Sequence, residues 1–351
     1  MMRKVYIRAA SCLSAQNTLA ADGFLTDIKK YAGTRMNAVE PDYKTYVDPK
    51  LIRRMSHVIK MGVAAAQDCL NKAGGSNPDA IITGTALGCL EDTVTFLSRI
   101  VEMNEEMLPP TAFIQSTHNT VAAQVALMLG NHGYNNTFVH KGISFENALI
   151  DALMLINEGE ANSVLAGGLD ELTDASFTIL TRLGLYKRQP ISNLKLYDEQ
   201  SKGTLAGEGA AFFLLTNQAS ADNMAELKGV KTFYNAANNA TIENQIIKFL
   251  SGQNISINDI DLIITGKNGD IKNDAVYQVL NLLKRKPQAV YKHLSGEYPT
   301  STGFALWLAA NCIQRQEVPA VVSKTPVQPK NILIYNHYQN FYHSLFLVSA
   351  C

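Results

Sequence analysis

The sequence predicts an α/β protein of stacked layers around a largely buried sheet, and three observations lead there. Apolar strand-like runs alternate with helical stretches along most of the chain. Hydrophobic residues are 46% of the 351 and charged residues 18%, which allows a sizeable core and argues against disorder. The pattern of the first part partly recurs later. Two related halves are therefore expected, 1–220 and 221–351, joined near 217–228, where "NQASADNMAEL" is the most polar connector.

The elements follow in order. "KVYIRAASCL" reads as a first strand, and "RRMSHVIKMGVAAAQDCLNKAGG" as a helix with small and apolar residues at helix spacing and glycines at its end. "DAIITGTALG" is a buried strand and turn, and "LEDTVTFLSRIVEMNEE" is a helix. "STHNTVAAQVALMLGNHG" is another helix, closed by Gly133. From Asn135 to Gly168 an apolar strand enters a sharp glycine turn, an amphipathic helix follows, and a strand ends in Gly-Gly. "GTLAGEGAAFFLLTN" is a glycine turn leading into an apolar strand. In the second half, "INDIDLIITGKNGD" is a strand and turn. "NDAVYQVLNLLKR" and "STGFALWLAANCIQRQ" are helices, and "KNILIYNHYQNFYHSLFLVSA" is two strands around a turn.

Composition narrows the function. Lys+Arg and Asp+Glu are 31 each, so there is no electrostatic reason to expect nucleic acid or an anionic membrane as partner. No run approaches the ~18 apolar residues of a membrane span. Cys12, Cys69, Cys89, Cys312 and Cys351 are odd in number and form no C-x-x-C pair, which reads as reduced cytoplasmic thiols. The start, "MMRKVYIRAASCLSAQ", faintly suggests a signal sequence, but Arg8 interrupts its apolar run and a strand is the better reading.

Several stretches match one family in order along nearly the whole chain. They are "RRMSHVIKMGVAAAQDCLNKAG", "GTALGCLEDT", "PPTAFIQSTHNTVAAQVALMLGNHG", "SVLAGGLDELTDAS" and, most specifically, "YDEQSKGTLAGEGAAFFLL". The last carries Asp198, Gly203, Gly207, Glu208, Gly209 and Ala210. With these the chain resembles the elongating β-ketoacyl-ACP synthases of the thiolase-like superfamily. The resemblance implies a five-layered α-β-α-β-α fold of two related halves.

The family's chemistry needs a Cys at a helix N-terminus, which takes the acyl chain as a thioester, and two His residues that assist decarboxylation and stabilise the oxyanion. Carried over by motif, the Cys position falls on Gly142. The first His falls on Gly266, or on Lys267 if the gap shifts by one, anchored by Asn273-Asp274. The second falls on Glu297, with the preceding Lys kept as Lys292. The family's Gly-Phe-Gly-Gly turn corresponds to "NHYQNFYHS" near His337–Asn340, where Tyr338 stands for the gating Phe. Its glycines are gone, which argues against an amide cradle there.

Other candidates read more plainly. Ser144 lies in Gly-x-Ser but lacks the second glycine, because Glu146 occupies that place, so it is expected to cap the helix that follows. His140 and Lys141 at the strand end read as packing or hydrogen-bonding residues. His293 is displaced from the imidazole position, and Glu297 is expected to pair with Lys292. Asp270 and Asp274 read as turn residues rather than metal ligands, and no cofactor is implied. Tyr335, Tyr338, Phe341 and Tyr342 are expected to be core and pocket wall.

The implied role is that of a non-condensing partner similar to the family's chain-length factors. Such subunits pair with an active ketosynthase in fatty-acid, polyketide or aryl-polyene-type biosynthesis. The usual chain-length factor has Gln at the Cys position, so this resemblance is incomplete. Expected partners are an active ketosynthase subunit, acyl carrier protein and acyl chains, with a homodimer when the chain is alone. Two alternatives stay open: an active acyltransferase with a rearranged site, and a scaffold that binds acyl groups or the carrier protein.

Overall fold

A computed structural model describes residues 3–19, 23–199 and 201–351. The start at Met1 and Met2 lies outside them. The ten principal strands are β1 (Tyr6–Leu13), β2 (Ala80–Gly84), β3 (Tyr134–Phe138), β4 (Ser163–Asp170), β5 (Gly209–Thr216), β6 (Ala225–Tyr234), β7 (Leu262–Thr265), β8 (Gln288–Val290), β9 (Asn331–Tyr338) and β10 (Tyr342–Ser349). The principal helices are α1 (His57–Lys72), α2 (Leu90–Glu102), α3 (Pro110–Gln115), α4 (Thr120–Leu129), α5 (Ser144–Glu158), α6 (Asp174–Arg182), α7 (Asn239–Gly252), α8 (Ile271–Val279) and α9 (Thr302–Arg315).

The strand order shows the internal repeat. One set of five runs β3-β2-β4-β5-β1 and the other β8-β7-β9-β10-β6. In each set the first three strands are parallel and the remaining pairings antiparallel. The sets meet through β1 and β6, whose only paired residues are Tyr6 with Glu226 and Ile7 with Ala225.

Burial explains the layers. Strands β4 and β5 are apolar along nearly their whole length because helices cover both faces. Helix α1 packs Met61, Ala65 and Leu70 on the outer face of the first set, together with Val121 and Val125 of α4. Helices α5 and α9 fill the space between the sets with Phe145, Leu149, Phe304 and Leu308. Helices α7 and α8 cover the far face of the second set with Ile246, Phe249 and Tyr277. The result is helix, sheet, helix, sheet, helix.

Several boundaries depart from the sequence reading. The first helix starts at His57, after Ser56, rather than at Arg53. Helix α4 ends at Leu129, because Gly130 takes the left-handed conformation three residues before Gly133. The stretch expected as one helix over "NDAVYQVLNLLKR" breaks at Leu280, whose extended ψ of 105° separates α8 from a short turn at Asn281–Lys284. In this chain β3 is an edge strand, paired with β2 alone.

Candidate functional site

The strand–turn–helix forms where the sequence places it. Strand β3 ends at Phe138, a tight turn spans Lys141–Ile143, and α5 begins at Ser144. Lys141 holds a left-handed φ of 50°. Gly142 is buried, and a Cβ there would overlap Cβ and Cγ of Tyr338 and stand 2.8 Å from its Cδ1. The space beside Gly142 is thus filled by the tyrosine.

Ser144 is not the helix cap. It is the first helical residue, fully buried, and its Oγ accepts from the His140 amide at 2.7 Å and donates to the Lys141 carbonyl at 2.8 Å. The hydroxyl braces the turn. His140 meets Asn147 through Nδ1 at 3.1 Å and lies edge-on to Tyr342, which makes it a packing residue.

Tyr338 ends β9 at the mouth of a hairpin. Gln339 and Asn340 hold φ of 55° and 57°, and the Phe341 amide donates to the Tyr338 carbonyl at 3.2 Å. The left-handed turn therefore forms without glycine. The Asn340 amide donates to His337 Nδ1 at 3.2 Å, which helps meet the strain of roughly 1–2 kcal/mol per residue. The flanking aromatics divide by strand alternation: Tyr335 is core, while Tyr338, Phe341 and Tyr342 line a cavity.

Lys292 and Glu297 pair as the sequence suggested. Nζ lies 2.5 Å from Glu297 Oε2, with the lysine fully buried. The Asn268 side-chain amide donates to the same oxygen at 2.9 Å, and the Ser301 hydroxyl to Oε1 at 3.4 Å. The backbone of Glu297 is held by the motif at 203–210. Its amide donates to the Leu205 carbonyl at 2.8 Å, and the Gly207 amide donates to its carbonyl at 3.0 Å. Glycine is required at 207, since a Cβ would overlap the Ser295 carbonyl and lie 2.7 Å from Gly296 Cα. This motif is a clamp on the loop that carries Glu297.

Gly266 follows β7, and a Cβ there would overlap Asn336 Oδ1 and lie 2.8 Å from the Tyr277 hydroxyl. Its neighbour Lys267 accepts from the Tyr197 hydroxyl at its carbonyl, at 3.2 Å. Asp274 accepts from the Asn268 and Gly269 amides at 2.9 and 2.8 Å, yet burial pushes its carboxyl up to about 6. Asp270 caps α8 through the Lys272 amide. Asp270 is thus the N-cap of α8 and Asp274 lies within that helix rather than in the turn the sequence suggested, because its carboxylate reaches back to the amides of the preceding loop. Among the described residues no group of three or more His, Cys, Asp or Glu is placed to hold a metal ion.

His293 turns away from the ion pair. Its Nε2 meets the Val321 carbonyl at 3.0 Å, its ring lies edge-on to Tyr197, and burial lowers its pKa to about 4. It faces a separate cleft of about 610 Å³, lined also by Asp198, Asp274 and Lys324.

Tyr338 and Glu297 border a void of about 20 Å³. Beyond it opens a cavity of about 480 Å³ that shares Leu185, Tyr186, Tyr298, Pro299, Tyr338 and Gln339 with the void. The other walls are largely apolar, with Leu87, Leu180 and Phe341 among them, and Lys141 and Glu171 add charge.

Two carboxyls here escaped the sequence reading. Glu146 is fully buried, and among the described residues neither oxygen has a partner at hydrogen-bonding distance. Burial pushes it up to about 7. The nearby Thr302 and Ser344 hydroxyls and the Lys292 charge offset only part of that. Its place on the apolar stripe of α5, three residues before Leu149, was the available signal. Glu171, just beyond β4, is also pushed up to about 7, first by burial.

The architecture and the Gly142 turn define a thiolase-like α/β protein. Residues 30–242 match the β-ketoacyl synthase N-terminal domain, and the chain belongs to that family. Among curated relatives, 3-oxoacyl-[acyl-carrier-protein] synthase 2 of Synechocystis sp. is 27% identical over 193 residues. That match covers 51% of this chain and 46% of the relative, so the alignment spans less than half of that enzyme. Among solved structures, the ishigamide ketosynthase/chain length factor superposes with a TM-score of 0.82 at 16% identity over 100% of both chains. The complex of the ketosynthase ApeO with its chain length factor ApeC, from Xenorhabdus doucetiae, gives 0.80 at 17% identity over 99% of this chain and 98% of that one. At these identities the superpositions establish the shared fold.

Proposed function

We propose that this chain is a non-condensing ketosynthase homologue that acts as a chain-length-factor-like partner of an active β-ketoacyl-ACP synthase. One observation carries the reading: the turn that would present the family's Cys holds Gly142, and Tyr338 occupies the space a side chain would need. Gly266 and Glu297 take the places of the two histidines. Glu297 is tied to Lys292 and Asn268, an arrangement suited to holding the loop rather than to moving protons.

The reading extends to assembly. The unpaired edge of β3, with exposed Tyr134 nearby and exposed Leu127 on α4, is the surface offered to the active subunit, or to a second copy when the chain is alone. The two halves divide in the loop between β5 and β6, at 220/221. The aromatic cavity is the site for acyl groups delivered by the carrier protein. No helix among the described residues is long and apolar enough to cross a membrane, in keeping with a cytoplasmic role. Against an acyltransferase built on Ser144 stands the burial of that hydroxyl and its engagement by Lys141 and His140.

The test is co-expression with a ketosynthase that carries the Cys-His-His set, followed by size analysis and product assay. A heterodimer whose products change in length when the cavity is altered is expected. A chain that stays a well-folded monomer at micromolar concentration beside every such ketosynthase refutes the partner role.

A further inference from the structure

Of the buried carboxyls Asp170, Glu171 and Glu208, only Glu171 lines the 480 Å³ cavity, and the other two are saturated. Asp170 accepts from the Ala86 amide, the Thr85 hydroxyl, and both the amide and hydroxyl of Thr300, at 2.8 to 3.0 Å. Glu208 accepts from the Ala38 and Leu172 amides at 3.1 and 3.0 Å and meets His57 Nε2 at 3.3 Å. Glu171 is different. It is 8% exposed and lines the cavity, and only its Oε1 is engaged, by the Glu91 amide at 2.9 Å. Among the described residues its second oxygen has no hydrogen-bond partner, and the cavity it lines is walled by Leu87, Leu172, Leu180 and tyrosines.

A carboxyl oxygen that faces a largely apolar cavity without a protein partner is open to a ligand donor, and a ligand group that completes it gains a charge-assisted hydrogen bond. We propose that Glu171 makes this cavity selective for ligands whose apolar body carries a terminal hydroxyl. The inference rests on reading the cavity as an acyl-binding site and adds the recognition group. A hydroxyl suits the position because it donates to a carboxylate and accepts from a carboxylic acid. Burial, helped by the Glu91 and Asp92 charges, pushes Glu171 up to about 7 against the pull of the Glu91 amide and His57, so both forms are present near neutrality. A plain hydrocarbon end leaves the oxygen unpaired. In an apolar cavity without such a group the preference reverses, because the hydroxyl is stripped of water for nothing.

Calorimetric titration of the whole chain at pH 8 with methyl cinnamate and methyl 4-hydroxycinnamate tests this. The hydroxylated ester is expected to bind about tenfold more tightly or better, as a hydrogen bond to a charged group implies. Glu171→Met is expected to abolish or invert the preference. Glu171→Gln keeps an acceptor for the Glu91 amide, so the fold is retained while the charge-assisted bond is lost, and the preference should fall at least about threefold. Equal binding of both esters to the wild type, or a preference that survives in Glu171→Met, overturns the proposal. If both esters bind equally and Leu180→Arg abolishes both, the acyl-site reading stands and only the selectivity fails. If neither ester binds, both fail.

Discussion

Gly142→Cys is the most direct test of the proposal that this turn no longer serves condensation. The new Cβ overlaps Tyr338 Cβ and Cγ and comes within 2.8 Å of Cδ1, where unbonded carbons rest at ~3.5–4.0 Å. The turn before α5 is fixed by the Ser144 hydroxyl, so Tyr338 must yield. Overpacking of this kind costs about 1–3 kcal/mol. Tyr338→Gly removes both the overlapping Cβ and the ring at its own cost, and the double variant should be more stable than the sum of the singles by about 1–2 kcal/mol. Urea unfolding gives the cycle, and intact mass after incubation with an acyl thioester reports the thiol. The single variant is expected to be destabilised and to give no condensation product, since no imidazole stands at Gly266 or Glu297 and catalytic groups do not act additively. A Gly142→Cys protein as stable as the wild type, or one that makes ketoacyl product, refutes the reasoning.

Three further outcomes follow from other sites. Glu146 has its pKa raised to about 7 by burial against 4.5 ordinarily, so as pH rises from 4.5 to 7 the unfolded chain ionises first and folding stability falls. Glu146→Gln should therefore gain on the wild type across that window, while replacing His343, whose pKa burial lowers to about 4, should reduce the loss of stability as pH falls from 6.5 to 4; thermal unfolding across pH reads both. Lys292→Met leaves Glu297 buried and unpaired and should cost about 3–5 kcal/mol, with Lys292→Met/Glu297→Met costing less, as denaturant unfolding will show. Leu127→Asp and Tyr134→Asp should shift the chain to monomer in light scattering while circular dichroism shows the fold retained, whereas Phe138→Asp should disturb the fold itself, because Phe138 packs against the core.

The sequence by itself determined the layers and the glycine at the turn before α5. Strand and helix periodicities are local, and β4, β5 and α9 are so apolar that only burial on all sides accommodates them. Gly142 is visible to anyone who counts from Ala166-Gly167-Gly168. The Lys292–Glu297 pair was legible because the resemblance put both residues in one site, where a carboxylate beside a cation favours its charged form. Helix ends were less legible, since Gly130 and Gly133 are equally good stops in the sequence, and Leu280 breaks a helix with no Gly or Pro to announce it. Only the tertiary structure decided what stands against Gly142. Tyr338 is 196 residues from Gly142, and nothing local says that its ring lies on that glycine. Tertiary packing also holds Gln339 and Asn340 in left-handed angles, and it satisfies Asp170 and Glu208 while leaving one oxygen of Glu171 free. These outcomes depend on which distant donors come within 3 Å, and that distance is set when the two sheets close on α5 and α9.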